Sequence, residues 1–549
     1  MKRQIPWLAI TVILFSLGCE ETNRPPVYLD GTQTDMDGGP QTDGEPPDSR
    51  VDSDGPVVVG DGPEEQGPLF DVRVEGPLEG PPVTCKSRCE VVFTLPDEGE
   101  NDVILMGDFD RWSTGKVMSK AGSNWTITLD LEHGQPVQYK FAKNNKTEWV
   151  NDPKGNTCAE LGSNRNSFVM VDCDNACPIT TSDDWRDGVL YFVMLDRFNN
   201  GDPTNDRKVG DRFGRPVQPI ADWMGGDLQG LINKIQEGYF EQLGVNILWI
   251  SNPIAAADGA WDGSLNELYT GYHGYWPTDM TKVEARFGDR LLLKEMIVEA
   301  HKKGLKVIMD YPMNHLHQDS PHYIAHPEWF WDYQFYGQDC KCGTAVCTWE
   351  GPQKERCWFD PFLPDFDYSN ADALKFSLDN LVMWATDVGG DGSNVAFDGF
   401  RMDAVKHIDM TWVTSMRARL DAEFPNHSIW TVGETFTGSK ELINAYIGPD
   451  KLDGQFDFPL HDEVRGKILK REGTMKNMGD FIQNNRCPYG SESLMSTFLG
   501  NHDKQRVIHD SMNEFYAPFD FPAQPTATEP YERLAMGFTL LMTMPGVPL

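Results

Sequence analysis

The sequence has few basic residues for its length. It contains 48 Lys and Arg against 84 Asp and Glu, a formal net charge of −36 over 549 residues. Nucleic acids and anionic membrane surfaces are bound through clusters of positive charge. This composition therefore excludes nucleic acid as a partner and favours a neutral or cationic ligand.

Long apolar runs are also scarce, and the one at residues 5–17 follows Lys2 and Arg3. It is too short to span a bilayer and is typical of a secretion signal. The segment ends at Cys19, after Ser16-Leu17-Gly18, and resembles a bacterial lipoprotein cleavage site in which Cys19 is lipidated. That pattern prefers Leu at the position of Ser16, so ordinary signal cleavage is the alternative. We expect an exported monomer, either secreted or held at the cell envelope through Cys19 alone.

Export determines how the remaining cysteines are interpreted. Ten follow Cys19: Cys85, Cys89, Cys158, Cys173, Cys177, Cys340, Cys342, Cys347, Cys357 and Cys487. An even number in an oxidising compartment favours disulfides. A zinc site within 340–357 is the alternative, but the spacing is not the CxxC…CxxC pattern of such sites.

Aromatic residues are nearly absent from residues 20–82, which are rich in Asp, Gly, Pro, Thr and Glu. Such a segment cannot bury enough apolar surface to fold, so it is predicted to be a disordered linker. Residues 83–177 differ, since short alternating runs at 89–95, 102–106, 125–131, 137–141 and 167–171 are separated by turn residues. This pattern predicts a small immunoglobulin-like β-sandwich.

Three stretches of the predicted sandwich read VILMGDFDRWS, WTITLDLEHGQPVQYKFAKNNKTEWVNDP and LGSNRNS, in this order. They resemble the starch- and glycogen-binding domain found ahead of many starch-active enzymes. The resemblance implies sugar contacts from Trp112, Lys140 and Trp149, in which the aromatic faces stack on glucose rings. The alternative is a structural spacer in which both tryptophans are packed inside.

From residue 183 onward, apolar strand-like runs alternate with helical patterns. Such alternation predicts parallel strands with right-handed crossovers. No glycine-rich phosphate turn follows any strand, which disfavours an open doubly wound sheet. We count seven strands, and an eighth begins at 546–549, so residues 183–549 are predicted to form a (β/α)₈ TIM barrel.

Polar clusters follow four of these strands, at Asp310, Arg401 to Asp403, Glu434 and Asn501 to Asp503. The carboxyl ends of barrel strands meet at one rim, where active sites lie. Arg401 and Asp403 are two residues apart on a strand and share a face, so the guanidinium would keep Asp403 ionised as a nucleophile. Apolar neighbours would raise the pKa of Glu434 and make it an acid. Carboxylates with His and Arg suit either a metal-hydrolase centre or glycoside hydrolysis, and an acid beside a nucleophile is the pair of a retaining glycosidase.

Four motifs carry a second resemblance: DYPMNH (310–315), GFRMDAVKH (399–407), VGETF (432–436) and FLGNHD (498–503). Supporting segments are LYFVMLDRF (190–198), GGDLQG (225–230), YHGYW (272–276) and LPDFD (363–367). Together they are similar to the α-amylase family. The resemblance implies Asp403 as nucleophile, Glu434 as general acid/base and Asp503 as transition-state stabiliser. It also implies that the substrate contacts Arg401, His315, His502, Tyr275, Trp276, Lys406 and His407.

The same resemblance implies a structural Ca²⁺. Its ligands would be the side chains of Asn314 and Asp365 and the backbone carbonyls of Glu355 and His407, a set of oxygen ligands that suits Ca²⁺. The ERCW match around Glu355 further implies a disulfide between Cys347 and Cys357.

Two departures from the family pattern stand out. Gly500 occupies a position at which the family usually has Asp or Glu before Asn-His-Asp. The family's eighth strand, last helix and C-terminal β-domain do not fit before Leu549, so we expect an incomplete barrel.

These features together predict an α-amylase-type hydrolase that cleaves α-1,4 bonds in starch, glycogen or maltodextrins. The Lys406-His407 pair disfavours a neopullulanase or cyclomaltodextrinase, although cyclodextrin glucanotransferases share the pair and stay open. A catalytically inactive surface glycan-binding protein is the alternative from another class. It would be expected to lack one of the three carboxyls, and all three are present.

Overall fold

The computed structural model describes residues 88–549 except 111, 133–135, 158–165, 172, 174–184, 264–266, 426–428, 486–488, 490–492 and 515–522. The predicted signal peptide, Cys19 and the linker at 20–82 lie outside the described residues, as do Cys85, Cys158, Cys177 and Cys487.

The N-terminal part of the described chain is all β. Its strands are Arg88–Pro96, Val103–Gly107, Lys116–Val117, Ser119–Ala121, Asn124–Glu132, Pro136–Lys143, Glu148–Val150, Asn156–Thr157 and Ser167–Met170. Arg88–Pro96, Asn124–Glu132 and Ser119–Ala121 form one sheet, and the remaining strands form the other. The five long strands match the alternating runs in the sequence to within a few residues.

Alternation along these strands fills a core between the two sheets. Phe93 from one sheet meets Tyr139 of the other edge to face, with ring centroids 4.8 Å apart, and Phe141 continues the same row. The Cys89–Cys173 disulfide links the two ends of this segment. The β-sandwich is therefore held by both apolar packing and a covalent bond.

The second part is built on parallel strands. They are Leu190–Val193, Ile247–Ile250, Lys306–Tyr311, Gly399–Met402, Trp430–Gly433, Gly454–Gln455, Ser496–Thr497 and Val547–Pro548, called here barrel strands one to eight. Strands one to six are hydrogen-bonded in sequence order. A bridge between Phe456 and Ser496 joins strand six to strand seven, and strand seven pairs with strand eight. The predicted (β/α)₈ architecture is confirmed.

Helices cover the outside of the strands. They are Leu195–Phe198, Leu228–Gln236, Tyr239–Gln242, Arg290–Lys302, Pro321–Ala325, Ala371–Thr386, Met410–Glu423, Lys440–Asn444, Phe458–Val464 (continued as a π-helix over Arg465–Leu469), Met475–Asn485, Val507–Asp510 and Glu529–Thr543. The helical pattern of residues 228–243 is interrupted at Gly238, whose φ of 77° an L-residue rarely adopts. The apolar run at 188–198 forms a strand only as far as Val193 and then gives way to a helical turn.

Short antiparallel pairs extend from the loops between the barrel elements. They are Asp211–Arg212 with Arg215–Pro216, Ile254–Ala256 with Pro277–Val283, Ala260–Asp262 with Leu268–Thr270, and Gln334–Phe335 with Gln338–Asp339.

The period of two along each barrel strand separates an apolar base from a polar rim. Inward-facing Leu190, Ile247 and Ile308 pack with Val547 of strand eight inside the barrel. Trp185 lies against Trp430 at the start of strand five, with ring centroids 4.9 Å apart. The inward positions at the opposite, carboxyl ends are charged, so the chemistry is confined to one rim.

The cysteines of the loop after strand three pair differently from the prediction. Cys340 bonds to Cys347 and Cys342 bonds to Cys357. The predicted Cys347–Cys357 bond is wrong because the backbone of Cys342 lies beside Trp358, which brings Cys342 within 5.0 Å (Cα–Cα) of Cys357. With all four thiols paired, the zinc alternative has no thiolate ligands.

Among the described residues, no helix combines the length and apolar character that a bilayer span requires.

Candidate active site

Arg401 is the centre of the polar rim. It lies on strand four in register with Asp310 of strand three, and both face into the barrel. The Nη1 of Arg401 is 2.6 Å from Asp403 and 2.9 Å from Asp310, and its Nη2 is 3.4 Å from Glu434. All four side chains are buried. One guanidinium thus holds the predicted nucleophile and the predicted acid at its two ends.

Asp310 links Arg401 to the neighbouring side chains of Tyr275 and Trp249. It accepts hydrogen bonds from the Tyr275 hydroxyl at 2.7 Å and from the Trp249 indole at 3.2 Å. The Tyr275 hydroxyl also lies 2.9 Å from Nε2 of His502, and the two rings are nearly parallel. Side chains from strands two, three, four and seven therefore form one network, in which every member restrains its neighbour.

Burial dominates the protonation of the acidic groups. It raises the pKa of Asp403 well above its usual value, and Arg401 only partly opposes this. Burial likewise raises the pKa of Glu434 and brings the pKa of Asp503 to about 6. Arg401 lowers the pKa of Asp403, but the burial of this carboxyl outweighs that effect, and Asp310 and Glu434 share the same cation.

Asp403 and Glu434 differ in their distance to the guanidinium. Asp403 is 2.6 Å from it and Glu434 is 3.4 Å away. When such a pair holds one proton, the carboxyl nearer the fixed positive charge retains its negative charge and the other carries the proton. This geometry gives Asp403 the base form and Glu434 the acid form.

Asp503 follows strand seven on the opposite side of the rim. Its Oδ2 lies 3.4 Å from Nε2 of His502, and its backbone N–H donates to Asn501. Burial lowers the pKa of His502 to about 4, so the imidazole is neutral at neutral pH. Oδ1 of Asp503 and Oδ2 of Asp403 are buried without a hydrogen-bond partner among the described residues. Both oxygens are available to a ligand.

The disulfide-bonded loop after strand three contacts both Lys406 and His407. The Lys406 ammonium donates to Glu350 at 2.6 Å and to the carbonyl of Phe436 at 3.1 Å. Nδ1 of His407 lies 2.7 Å from the carbonyl of Lys354. Burial lowers the pKa of His407 well below its usual value, which keeps the ring neutral.

A single pocket joins most of these groups. It is lined by Tyr275, Phe359, Asp403, Ala404, Lys406, His407, Glu434, Phe436, His502 and Asp503. Three of the predicted substrate-contact residues lie behind this lining. Arg401 is beneath the carboxyls, and Trp276 is packed against Trp261 and Phe362. Nε2 of His315 lies 2.9 Å from the carbonyl of Tyr275, so His315 supports the loop that carries Tyr275.

The sequence analysis gave no role to several residues that shape the site. Asp310 and Trp249 orient Arg401 and Tyr275, and Phe359 and Phe436 form apolar walls of the pocket. Asp310 was placed at the rim from the sequence, and strand alternation could also have identified Trp249, because both share the inward face at the ends of their strands. Nothing local in the sequence indicates Phe359, which reaches the pocket from a long loop.

Asn314 and Asp365, two of the predicted calcium ligands, are in contact. The Asn314 amide is 2.6 Å from Oδ2 of Asp365, and its own Oδ1 is buried without a partner among the described residues. Burial raises the pKa of Asp365 well above its usual value, since no basic side chain in the described part of the chain is ion-paired to it. A buried carboxylate beside an unsatisfied amide oxygen fits a hard cation.

Cys342 and Cys357 lie close to His407 but do not form a second metal site. Cys342, Cys357 and a nitrogen of His407 approach one another within 4.8 Å. Both sulfurs are consumed by their mutual disulfide, so this group does not bind a metal through thiolates.

The sandwich presents two of its three predicted sugar contacts together. Trp149 pairs with Ala142, and Lys140 lies two residues away on the same outward face of strand Pro136–Lys143. The Trp149 side chain is 44% exposed. Trp112 is half-buried in the turn after strand Val103–Gly107, where its indole donates to Asp108 at 2.8 Å. The alternative arrangement, in which both tryptophans are packed in the core, is not observed.

A barrel whose rim holds three acidic side chains around a buried arginine is the arrangement of an enzyme that acts on glycosidic bonds. Residues 192–548 match the family model described as "Alpha amylase, catalytic domain". The chain belongs to the α-amylase family, whose members are hydrolases or transferases acting on α-glucans. Residues 89–176 match the model described as "Glycogen recognition site of AMP-activated protein kinase".

Several relatives in sequence are cyclomaltodextrin glucanotransferases. A cyclomaltodextrin glucanotransferase from Niallia circulans is 30% identical over 363 residues, which cover 63% of this chain and 48% of that protein. One from Thermoanaerobacterium thermosulfurigenes is 29% identical over 371 residues, covering 66% and 48%. The chain thus spans about half the length of these relatives.

Solved structures agree with the fold. The α-amylase from Geobacillus thermoleovorans is 26% identical and superimposes with a TM-score of 0.52, covering 66% of this chain and 69% of that one. An α-amylase from Anoxybacillus is 28% identical with a TM-score of 0.53, covering 66% and 70%.

Proposed function

We propose that this protein is an exported, retaining α-amylase-type hydrolase that cleaves α-1,4-glucosidic bonds within starch, glycogen or maltodextrins. One observation carries the proposal: a single buried guanidinium holds Asp403 and Glu434 at the wall of one pocket. A retaining mechanism needs two carboxyl groups close together in opposite protonation states.

The first step follows from these positions. Asp403 attacks the anomeric carbon and forms a glycosyl ester, while the bond to the leaving glucose breaks and its oxygen takes the proton of Glu434. Asp503, across the pocket, stabilises the positive charge that develops on the sugar ring. In the second step Glu434 removes a proton from water, which attacks the anomeric carbon and releases Asp403.

Stereochemistry tests this assignment. Two displacements at the anomeric carbon return the α-configuration, so the first product seen by ¹H NMR on a soluble maltooligosaccharide should be the α-anomer. Appearance of the β-anomer first would show direct attack by water and would contradict a nucleophilic Asp403.

A cyclodextrin glucanotransferase is the second candidate, favoured by the relatives of up to 30% identity. The two activities share the first step and differ in whether water or a sugar hydroxyl attacks the glycosyl ester. Incubation with soluble starch followed by chromatography separates them, because a hydrolase releases linear maltooligosaccharides and a glucanotransferase releases cyclic products. We expect mainly linear products.

We further propose that Asn314, Asp365 and the carbonyls of Glu355 and His407 bind Ca²⁺. The unsatisfied oxygen of Asn314 and the buried Asp365 support this. The bound cation would neutralise Asp365 and hold the loop that carries Glu355 against the rim.

Chelation tests the calcium site through stability. Removing a ligand that binds only the folded state costs about 2.7 kcal/mol when its concentration is a hundred times Kd. EDTA should therefore lower the melting temperature and added Ca²⁺ should restore it, whereas Asp365→Asn should abolish the difference. Equal melting temperatures with and without EDTA, and no metal by elemental analysis, would overturn the site.

The N-terminal segments and the sandwich bear on the cellular location of the enzyme and on its contact with polymeric substrate. We propose that Cys19 is acylated after export and that the linker at 20–82 holds the folded part away from the membrane. The outward Lys140 and Trp149 support a glucan contact on the sandwich. Radiolabelled palmitate incorporation that is lost in Cys19→Ser would support the lipid anchor, and secretion without acylation would contradict it.

A further inference from the structure

Two short hairpins near the rim present aromatic side chains to solvent. Phe213 is at the tip between Asp211–Arg212 and Arg215–Pro216, and Tyr336 is at the tip between Gln334–Phe335 and Gln338–Asp339. Their side chains are the most exposed large apolar groups of the described chain, at 93% and 89%. Neither ring gains from burial in the fold.

Turn chemistry does not account for these residues either. Phe213 and Tyr336 have φ of 54° and 50°, and each is followed by a glycine with φ above 70°. Two-residue hairpin turns with both residues at positive φ prefer Asn-Gly, and a bulky residue at the first position is strained. The sequence thus keeps an aromatic residue twice where asparagine would suit the backbone better. Strain without a packing benefit is characteristic of functional positions.

Both hairpins contact the apolar cluster that lies behind part of the pocket lining, or residues next to it. The Arg212 guanidinium lies over the Trp261 ring at 4.8 Å, and Arg215 is ion-paired with Asp262 at 2.6 Å. Phe335, next to Tyr336, packs on the same apolar cluster as Trp261. That cluster also contains Tyr275 and Phe359, which line the pocket. Both hairpins therefore pack on the cluster that supports part of the pocket lining.

Neighbouring cations and rings hold the tips in place. Arg212 lies 5.4 Å from the Phe213 ring centroid. Tyr336 packs on Phe335, with ring centroids 4.4 Å apart, and Arg356 covers Phe335 at 4.3 Å. A ring restrained from below presents its open face to a ligand at little entropic cost.

We propose that Phe213 and Tyr336 are accessory glucan-binding positions, at which glucose rings of a long α-glucan stack outside the pocket. The proposal rests on the proposed function, which supplies the neutral polymeric substrate. Glucose presents apolar C–H faces that pack on aromatic rings. The two positions should therefore matter for polymers and not for substrates that fill the pocket alone.

The test replaces each aromatic with the residue its turn prefers. Phe213→Asn, Tyr336→Asn and the double variant are prepared in the full chain, with Leu291→Gln as a control at an exposed apolar position on a barrel helix. All are also prepared with Trp149→Ala, which removes the proposed contact on the sandwich. Measurements are the melting temperature, retardation in amylose-containing native gels, and kcat/KM on amylose and on maltotriose.

We expect the Asn variants to keep or raise the melting temperature. Amylose affinity should fall roughly five- to tenfold per ring, by analogy with stacking of bases on aromatic side chains. KM on amylose should rise in parallel, and kcat/KM on maltotriose should stay unchanged.

Three other results would each lead to a different conclusion. Unchanged amylose affinity in the double variant would overturn the inference while leaving the proposed function intact. A melting temperature lowered well below that of Leu291→Gln would also overturn it, since the rings would then be structural. Retardation lost in the Asn variants of a chain that hydrolyses neither substrate would support the binding positions and refute the proposed hydrolase.

Discussion

Individual side chains at the rim are arranged for chemistry at the expense of stability. Arg401 is fully buried and contacts Asp310, Asp403 and Glu434, so one positive charge faces three acidic groups. Asp503 adds a fourth carboxyl whose pKa is raised to about 6 by burial. Desolvated, partly unpaired charges of this kind are costly and persist where function needs them.

Asp503→Asn should stabilise the protein in a pH-dependent way. A carboxyl whose pKa rises on folding favours the folded state below its unfolded pKa and loses that contribution as pH rises through its folded pKa. With a shift from 3.8 to about 6, the loss spans that window and reaches about 3 kcal/mol above pH 7. The variant should melt higher than wild type at pH 7.5 and equally at pH 3.5. Turnover should fall sharply because the charge opposite the reacting sugar is lost.

Thermal melts across pH check this, with Asp450→Asn as a control at an exposed carboxyl. A variant no more stable than wild type at pH 7.5 would show that Asp503 ionises without penalty.

At the scale of elements, the disulfide-bonded loop after strand three carries Glu355, one of the proposed calcium ligands, and also supports residues of the substrate pocket. The Cys342–Cys357 bond closes a segment that carries Glu350 and Lys354. Glu350 is paired with Lys406, and the carbonyl of Lys354 binds His407. The loop after strand three thus positions Lys406 and His407, which lie in the connection that follows strand four.

Removing this bond should impair the rim as well as the fold. Closing a loop of about 15 residues is worth roughly 3 kcal/mol in the chain-entropy model. Cys342→Ser with Cys357→Ser should lower the melting temperature and raise KM, because Lys406 and His407 lose their support. Cys89→Ser with Cys173→Ser, in the sandwich, should lower stability without changing KM on maltotriose. If both pairs leave KM unchanged, the loop has no positioning role.

The sequence predicted most elements because their patterns are local. Alternation gave the strands of the sandwich and barrel, and it placed Arg401 and Asp403 on one face, as the structure shows. The cysteine pairing could not be read from spacing, since it depends on how the chain at Cys342 runs beside Trp358. The burial of Asp403, and the other carboxyls that share Arg401, could not be read from the local pattern either, because they come from separate strands.

For the whole molecule, a barrel of the α-amylase family is joined to a sandwich that matches a glycogen-recognition module. A disordered polymer chain or granule diffuses slowly, so a second contact raises the local concentration of substrate at the catalytic part. Trp149, exposed on the outward face of the sandwich, is the residue best placed to supply it.

Trp149→Ala should weaken binding to granular starch and little else. Loss of one stacked ring should cost roughly 1–3 kcal/mol of binding free energy, taking base stacking on aromatics as the guide. Turnover on maltotriose should be unchanged because the chemistry takes place at the barrel rim. Granule-depletion assays check this against Val92→Ala, an exposed apolar position on the other sheet. Equal depletion by all three proteins would make the sandwich a spacer.

The proposed mechanism requires that Asp403 forms a covalent bond to the sugar while Glu434 serves as acid and base. An α-maltosyl fluoride needs no acid to leave, so it can load Glu434→Gln, which then lacks the base that activates water. Peptide mass spectrometry of this variant after brief incubation should find a maltosyl ester on the peptide containing Asp403, and none in Asp403→Asn. A stable variant that turns over the fluoride with no ester at Asp403, or with the ester on another residue, would contradict the account.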